Sequence, residues 1–145
     1  MDALELLQSD HQRVSELFEQ LHQASDLDQK RDVFEMIRDE LTAHAEMEET
    51  LFYPLFQSRE GFGDLIEESM DDHAEMKDLI EEIDSLDDES ELADRFDELQ
   101  ETVDDHVAQE ENTLFPKVRQ VLNAEEINEL GDRMMEFKEA PPRAA

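Results

Sequence analysis

HAEMEETLFYP, residues 44–54, sets a histidine four residues before a glutamate and follows them with an apolar run that stops at a proline. On a helix, residues four apart share a face, so His44 and Glu48 would project together, while Glu49 falls about 100° away. Alone the pattern means little, because 43 of the 145 residues are Asp or Glu and a carboxylate falls near almost anything. Its weight comes from an echo: HVAQEENTLFP, residues 106–116, repeats it at an offset of 62.

The offset carries the rest of the chain with it. His11 maps onto His73, His44 onto His106, Glu48 and Glu49 onto Glu110 and Glu111, and Pro54 onto Pro116. With only five histidines and four prolines present, those pairs mark a duplication. Helix-start signals shift too. Asp2 with Glu5 and Asp64 with Glu67 read as capping boxes of the first and third helices, Asp26 with Gln29 and Asp88 with Glu91 as those of the second and fourth. Between them apolar residues recur at three and four: Leu4, Leu7, Val14, Leu17, Phe18, Leu21; Val33, Phe34, Ile37, Leu41; Ile66, Met70, Met76, Leu79, Ile80, Ile83; Leu92, Phe96, Leu99, Val103.

Two amphipathic hairpins bury their stripes best against each other. The expected fold is therefore all-α, an antiparallel up-down four-helix bundle over residues 1–122 built from a duplicated helical hairpin. Asn123 with Glu126 opens a short C-terminal helix over 123–138. Its face of Ile127, Leu130, Met134 and Phe137 is expected to close an exposed surface of the bundle, with contact to a second copy of the chain as the alternative. Residues 139–145 read as a flexible tail. Pro54 and Pro116 are expected to kink or end the second and fourth helices.

The hairpin arithmetic places the histidines. His11 and His44 are centred on the turn at SDLDQ, and His73 and His106 on the turn at DDES. All four lie roughly 22 Å from a turn at 1.5 Å per residue, with both turns at one end of the bundle. One layer thus holds four imidazoles, with Glu48 and Glu110 one turn farther along and Leu7, Phe18, Ile66 and Ile80 bounding it. Buried polar groups need partners. A pair of divalent irons would satisfy this set and leave positions open for a small ligand; a metal-free layer of His–Glu hydrogen bonds is the plain alternative.

These residues resemble the hemerythrin-like, or HHE cation-binding, domains. The resemblance covers the first 122 residues and rests on Asp10–His11, HAEMEE at 44–49, Asp72–His73, HVAQEE at 106–111 and the Leu-Phe endings. It implies a non-haem di-iron centre of two iron ions, with His11, His44, His73 and His106 as terminal metal ligands and Glu48 and Glu110 as bridges. Pairing His11 with His44 on one iron and His73 with His106 on the other follows from the hairpins. Oxygen-carrying hemerythrins have a further histidine four residues after that of the third helix, and here that position is Lys77. The site should therefore be more open. Glu49 and Glu111 are the candidates to fill the gap, though their phase suits an outer or surface role better. Lys77 is expected to face solvent, with approach to the pocket as the alternative.

Two other residues fall outside this set. His22 maps onto Asp84 and reads as an ordinary polar residue near the turn. Tyr53, nine residues after His44, is half a helical turn out of phase, so no hydrogen-bonding role is expected. A ferritin-like site needs Glu-x-x-His on two helices, and that spacing occurs once, at Glu19–His22.

The net charge of −31, with twelve basic residues, argues against nucleic acid or an anionic membrane as partner. Such self-repulsion becomes tolerable when molar salt shortens screening to about 3 Å, which points to a halophilic host, with an acidic surface in an ordinary cytoplasm as the alternative. Without cysteine, any metal must use imidazole and carboxylate. No signal segment or long apolar run is visible, so a cytoplasmic location is expected. The functional expectation is reversible binding of oxygen or nitric oxide for sensing, storage or detoxification. A di-iron oxidase, peroxidase or catalase and an iron storage or iron-sensing protein are the alternatives. A sensor would need a separate protein partner.

Overall fold

A computed structural model describes residues 1–139. Four long helices run up and down: α1 Ala3–Gln23, α2 Leu27–Met47, α3 Gly63–Ser85 and α4 Glu89–Gln109. Beyond α4 a π-helical turn, Glu110–Leu114, leads directly into α5, Phe115–Val121, and α6 spans Ala124–Glu139. No strand occurs among the described residues, and no described helix is long and apolar enough to cross a membrane.

The helix starts follow local hydrogen bonding. Asp2 accepts from the Glu5 amide at 2.8 Å while Glu5 accepts from the Asp2 amide at 3.1 Å, a reciprocal pair that satisfies two donors the helix leaves open. Asn123 and Glu126 do the same for α6. Asp26 and Asp88 cap α2 and α4 through the amides of Gln29 and Glu91, although the Gln29 side chain turns to Ser25 instead. The expected box at Asp64 is absent. There α3 begins at Gly63 after buried Phe62, with no side-chain cap. Gly61, at φ +86, reverses the chain in a conformation favouring glycine, and its carbonyl accepts from Lys117 at 2.6 Å. That anchored turn sets the start, leaving Asp64 inside the first turn, where its charge suits the helix dipole.

Both hairpin turns lie at one end, where Arg31 donates to the Leu86 carbonyl at 2.7 Å. The interior divides into two apolar cores with the polar layer between them. Phe18, Phe34, Ile37, Leu92 and Leu99 belong to the core nearer the turns. Leu4, Leu7, Phe52, Phe56, Ile66 and Val118 belong to the other, together with Ile127, Leu130 and Met134 of α6. The C-terminal helix thus covers an apolar face of its own bundle, which is why Leu6 is buried as well as Leu7. Met70, placed on the apolar stripe by spacing, is 38% exposed instead. Pro54 sits in the short 3-10 turn that ends the second rod. Pro116 does not end the fourth, because it falls in the first turn of α5, where a missing amide proton is tolerated. Glu139 is still helical, and the rest of the expected tail lies outside the described residues.

Candidate metal centre

The layer assembles from all four long helices. His11 on α1, His44 on α2, His73 on α3 and His106 on α4 are buried, and Glu48 and Glu110, each opening a π-helical turn, are 0% exposed. The imidazoles pair within hairpins, His11 with His44 at 5.0 Å between ring centres and His73 with His106 at 4.8 Å. The glutamates join the pairs. Glu48 Oε1 lies 3.2 Å from His44 Nε2 and 3.1 Å from His73 Nε2. Glu110 lies 3.2 Å from His11 Nε2 through one oxygen and 3.4 Å from His106 Nε2 through the other.

Each imidazole is held from outside by a carboxylate on its Nδ1. Asp10 holds His44 at 2.9 Å, Asp72 holds His106 at 3.1 Å, Glu111 holds His11 at 2.6 Å and Glu49 holds His73 at 2.9 Å. A carboxylate accepts only, so each imidazole donates from Nδ1 and turns Nε2 toward the centre, the arrangement in which a histidine ligates a metal once Nε2 gives up its proton. Glu49 and Glu111 therefore do not fill the place left by Lys77. They reach across to the other hairpin's histidine, from the phase their position predicts. Asp10 and Asp72 were not foreseen in this role, although the repeated Asp-His pair at the 62-residue offset was a signal for them.

Four inward atoms have no hydrogen-bond partner: His11 Nε2, His44 Nε2, Glu48 Oε2 and Glu110 Oε1. Concentrated lone pairs in a buried space call for cations. In the absence of metal, protons serve: burial works to lower the pKa of His44, yet Glu48, Asp10 and Glu110 push it up to about 10. His106 is likewise opposed by burial and carried to about 11 by Glu110 and Glu48. Burial favours the neutral Glu48 acid, but His44, His106 and His73 hold it well below the usual carboxylate range. Sets of ligand atoms close enough to share an ion are Glu48, His73, His106, Glu110 and His11, His44, Glu110. This is a buried His/Glu cluster able to coordinate a di-iron-type centre.

Tyr53 corrects the expectation most sharply. Its hydroxyl donates to Glu110 Oε2 at 2.5 Å and lies 3.1 Å from Glu48 and 3.3 Å from His73 Nε2. The π-helical turn Glu48–Phe52 takes five residues per hydrogen-bonded turn, so Tyr53 lags an ideal α-helix by about one residue and swings toward the interior. Burial, then the Glu48 and Glu110 charges, hold the phenol far above its ordinary pKa, so it stays a neutral donor. Its counterpart in the repeat, Phe115, stacks on His11 with no hydroxyl. Tyr53→Phe is expected to weaken metal binding about 10- to 100-fold by loosening Glu110, measured by calorimetric titration.

His22, by contrast, bonds Gln100 at 2.6 Å in solvent, as an ordinary polar residue would. Lys77 is exposed and lines a cleft of about 710 Å³ that leads down to the histidines, bordered also by Met70, Met76, Ile80, Leu41 and Val14.

A four-helix bundle with paired imidazoles and shared buried carboxylates at its centre has the architecture of a non-haem di-iron protein. The model of the hemerythrin HHE cation binding domain family matches residues 2–118, and the chain belongs to that family. It is 38% identical over 141 residues to a DNA nickase of Nostoc sp. (strain PCC 7120 / SAG 25.82 / UTEX 2576), a match covering 97% of this chain and 39% of that protein. The chain therefore spans about two fifths of that relative's length. Its fold is that of a hemerythrin HHE cation binding domain-containing protein from Mycobacterium kansasii, with a TM-score of 0.82 at 21% identity over 95% of this chain and 88% of that one.

Proposed function

We propose that this chain holds two irons, His11 and His44 binding one, His73 and His106 the other, with Glu48 and Glu110 bridging, and that it reversibly binds oxygen or nitric oxide. The observation that carries this reading is that each buried glutamate lies beside imidazoles of both hairpins while inward-facing atoms lack partners. Bound iron would supply the coordination of the diatomic. The chain's own part is to present Nε2 atoms, to fix them through the four outer carboxylates, and to bound the layer above and below with apolar cores. Visible spectra of the ferrous protein before and after exposure to each gas test it. The expected result is two irons per chain and new bands that reverse on gas removal; no iron or no spectral change sinks the reading.

One observation favours a second reading, an oxidase or peroxidase. The cleft of about 710 Å³ has room for far more than a diatomic. Sustained peroxide turnover that disappears in His73→Ala would favour the enzyme, and stable binding without turnover the gas carrier.

The nicking activity named for the Nostoc relative is not assigned to this chain. A charge of −31 repels a polyphosphate, and no retention of duplex DNA in a low-salt gel shift is the expected result. The acidic surface is read as suited to the cytoplasm of a salt-accumulating cell.

A further inference from the structure

The C-terminal helix reaches an outer carboxylate of the histidine layer through Lys138. Lys138, near the end of α6, places Nζ 2.6 Å from Asp10 Oδ1, and the other oxygen of Asp10 accepts from His44 Nδ1 at 2.9 Å. Both oxygens of a buried carboxylate are thereby engaged, and a line of contacts runs from α6 through α1 to α2. The duplicated half lacks this feature. Asp72 holds His106 at 3.1 Å, its side chain is 26% exposed, and among the described residues no lysine or arginine pairs with it.

An outer carboxylate orients a ligating imidazole only as well as it is itself held. The ammonium of Lys138 pins Asp10, and the packing of α6 pins Lys138. That packing is close: a Cβ on Gly131 would fall 2.5 Å from the Met1 carbonyl oxygen and 2.8 Å from the Ala3 nitrogen. We propose that Lys138 is a positioning residue for the first-hairpin metal position, so that docking of α6 and occupancy of that position reinforce each other. Linkage makes the effect reciprocal: whatever affinity the docked helix adds to the metal, the metal adds to docking. The two metal positions are therefore unequal, and the C-terminal helix is the element that registers whether the first is filled. This rests on the metal reading of the layer given above.

The test is zinc titration of the full chain by calorimetry, with amide exchange of α6 followed with and without metal. Lys138→Met is expected to weaken one of two binding steps tenfold or more, and Lys138→Arg to restore most of the loss. The loss should persist in a His106→Ala background and vanish in His44→Ala. Gly131→Leu, which displaces α6 through backbone contact while keeping the lysine, should give the same loss. Metal should slow exchange in α6 of the unaltered chain and not of Lys138→Met. Unchanged binding in Lys138→Met, equal losses in both histidine backgrounds, or α6 protection indifferent to metal overturns the proposal. An unaltered chain that takes up no metal removes the metal reading itself, a result seen before any variant is compared, and the proposal falls with it.

Discussion

Two equivalents of ferrous iron, added without air to the metal-free protein, are expected to raise its melting temperature by ~10 °C or more, and a chelator to reverse the gain. Four imidazoles and two glutamates crowd one buried layer, with four inward atoms unpartnered, so the metal-free layer depends on the protons its imidazoles carry to balance the glutamates. A ligand at a thousand times its dissociation constant stabilises the fold by about 4 kcal/mol per site, and each kcal/mol moves the midpoint of a chain this size by roughly 3 °C. The gain should grow with pH. His44 and His106, with pKa values of about 10 and 11 against an ordinary 6.5, contribute metal-free stability that is complete below pH 6.5. That contribution is lost as pH rises through those values. Metal must displace the same protons, so its affinity rises over the same window. Calorimetric scans at pH 6 and pH 9 check the sign. Repeating them from dilute buffer to molar salt tests the acidic surface, since the metal-free midpoint should climb as self-repulsion is screened. A midpoint indifferent to both iron and chelator would leave a hydrogen-bonded polar layer as the better description.

Removing Glu110 should do more damage than removing Glu48. Glu110 belongs to both sets of atoms close enough to share an ion, whereas Glu48 belongs to one. Glu110→Ala is therefore expected to reduce bound iron from two per chain to none or a weakly held one. Glu48→Ala should keep one ion on His11, His44 and Glu110. Metal analysis after desalting reads the difference, and equal retention by both variants would contradict the asymmetry. Each variant also leaves buried imidazolium groups without a counter-charge, so loss of metal has to be told apart from loss of fold. Circular dichroism on the metal-free proteins separates the two.

Much of this site was legible beforehand. Periodicity at three and four residues, the helix-start residues and an offset shared by histidines and prolines determined the hairpins, their duplication, the common height of four imidazoles and the inward direction of Glu48 and Glu110. Those are properties of helical geometry, and the chain carries them locally. Three things were decided only by the folded chain. The π-helical turns after His44 and His106 have no residue signal of their own, and they bring Tyr53 onto Glu110 against its α-helical phase. Outer carboxylates reach their imidazoles across helices, as from Glu111 to His11, so which acid among so many serves as partner depends on packing rather than spacing. Lys138 meets Asp10 across 128 positions because α6 folds back over its own bundle, a contact between distant segments that no local pattern encodes.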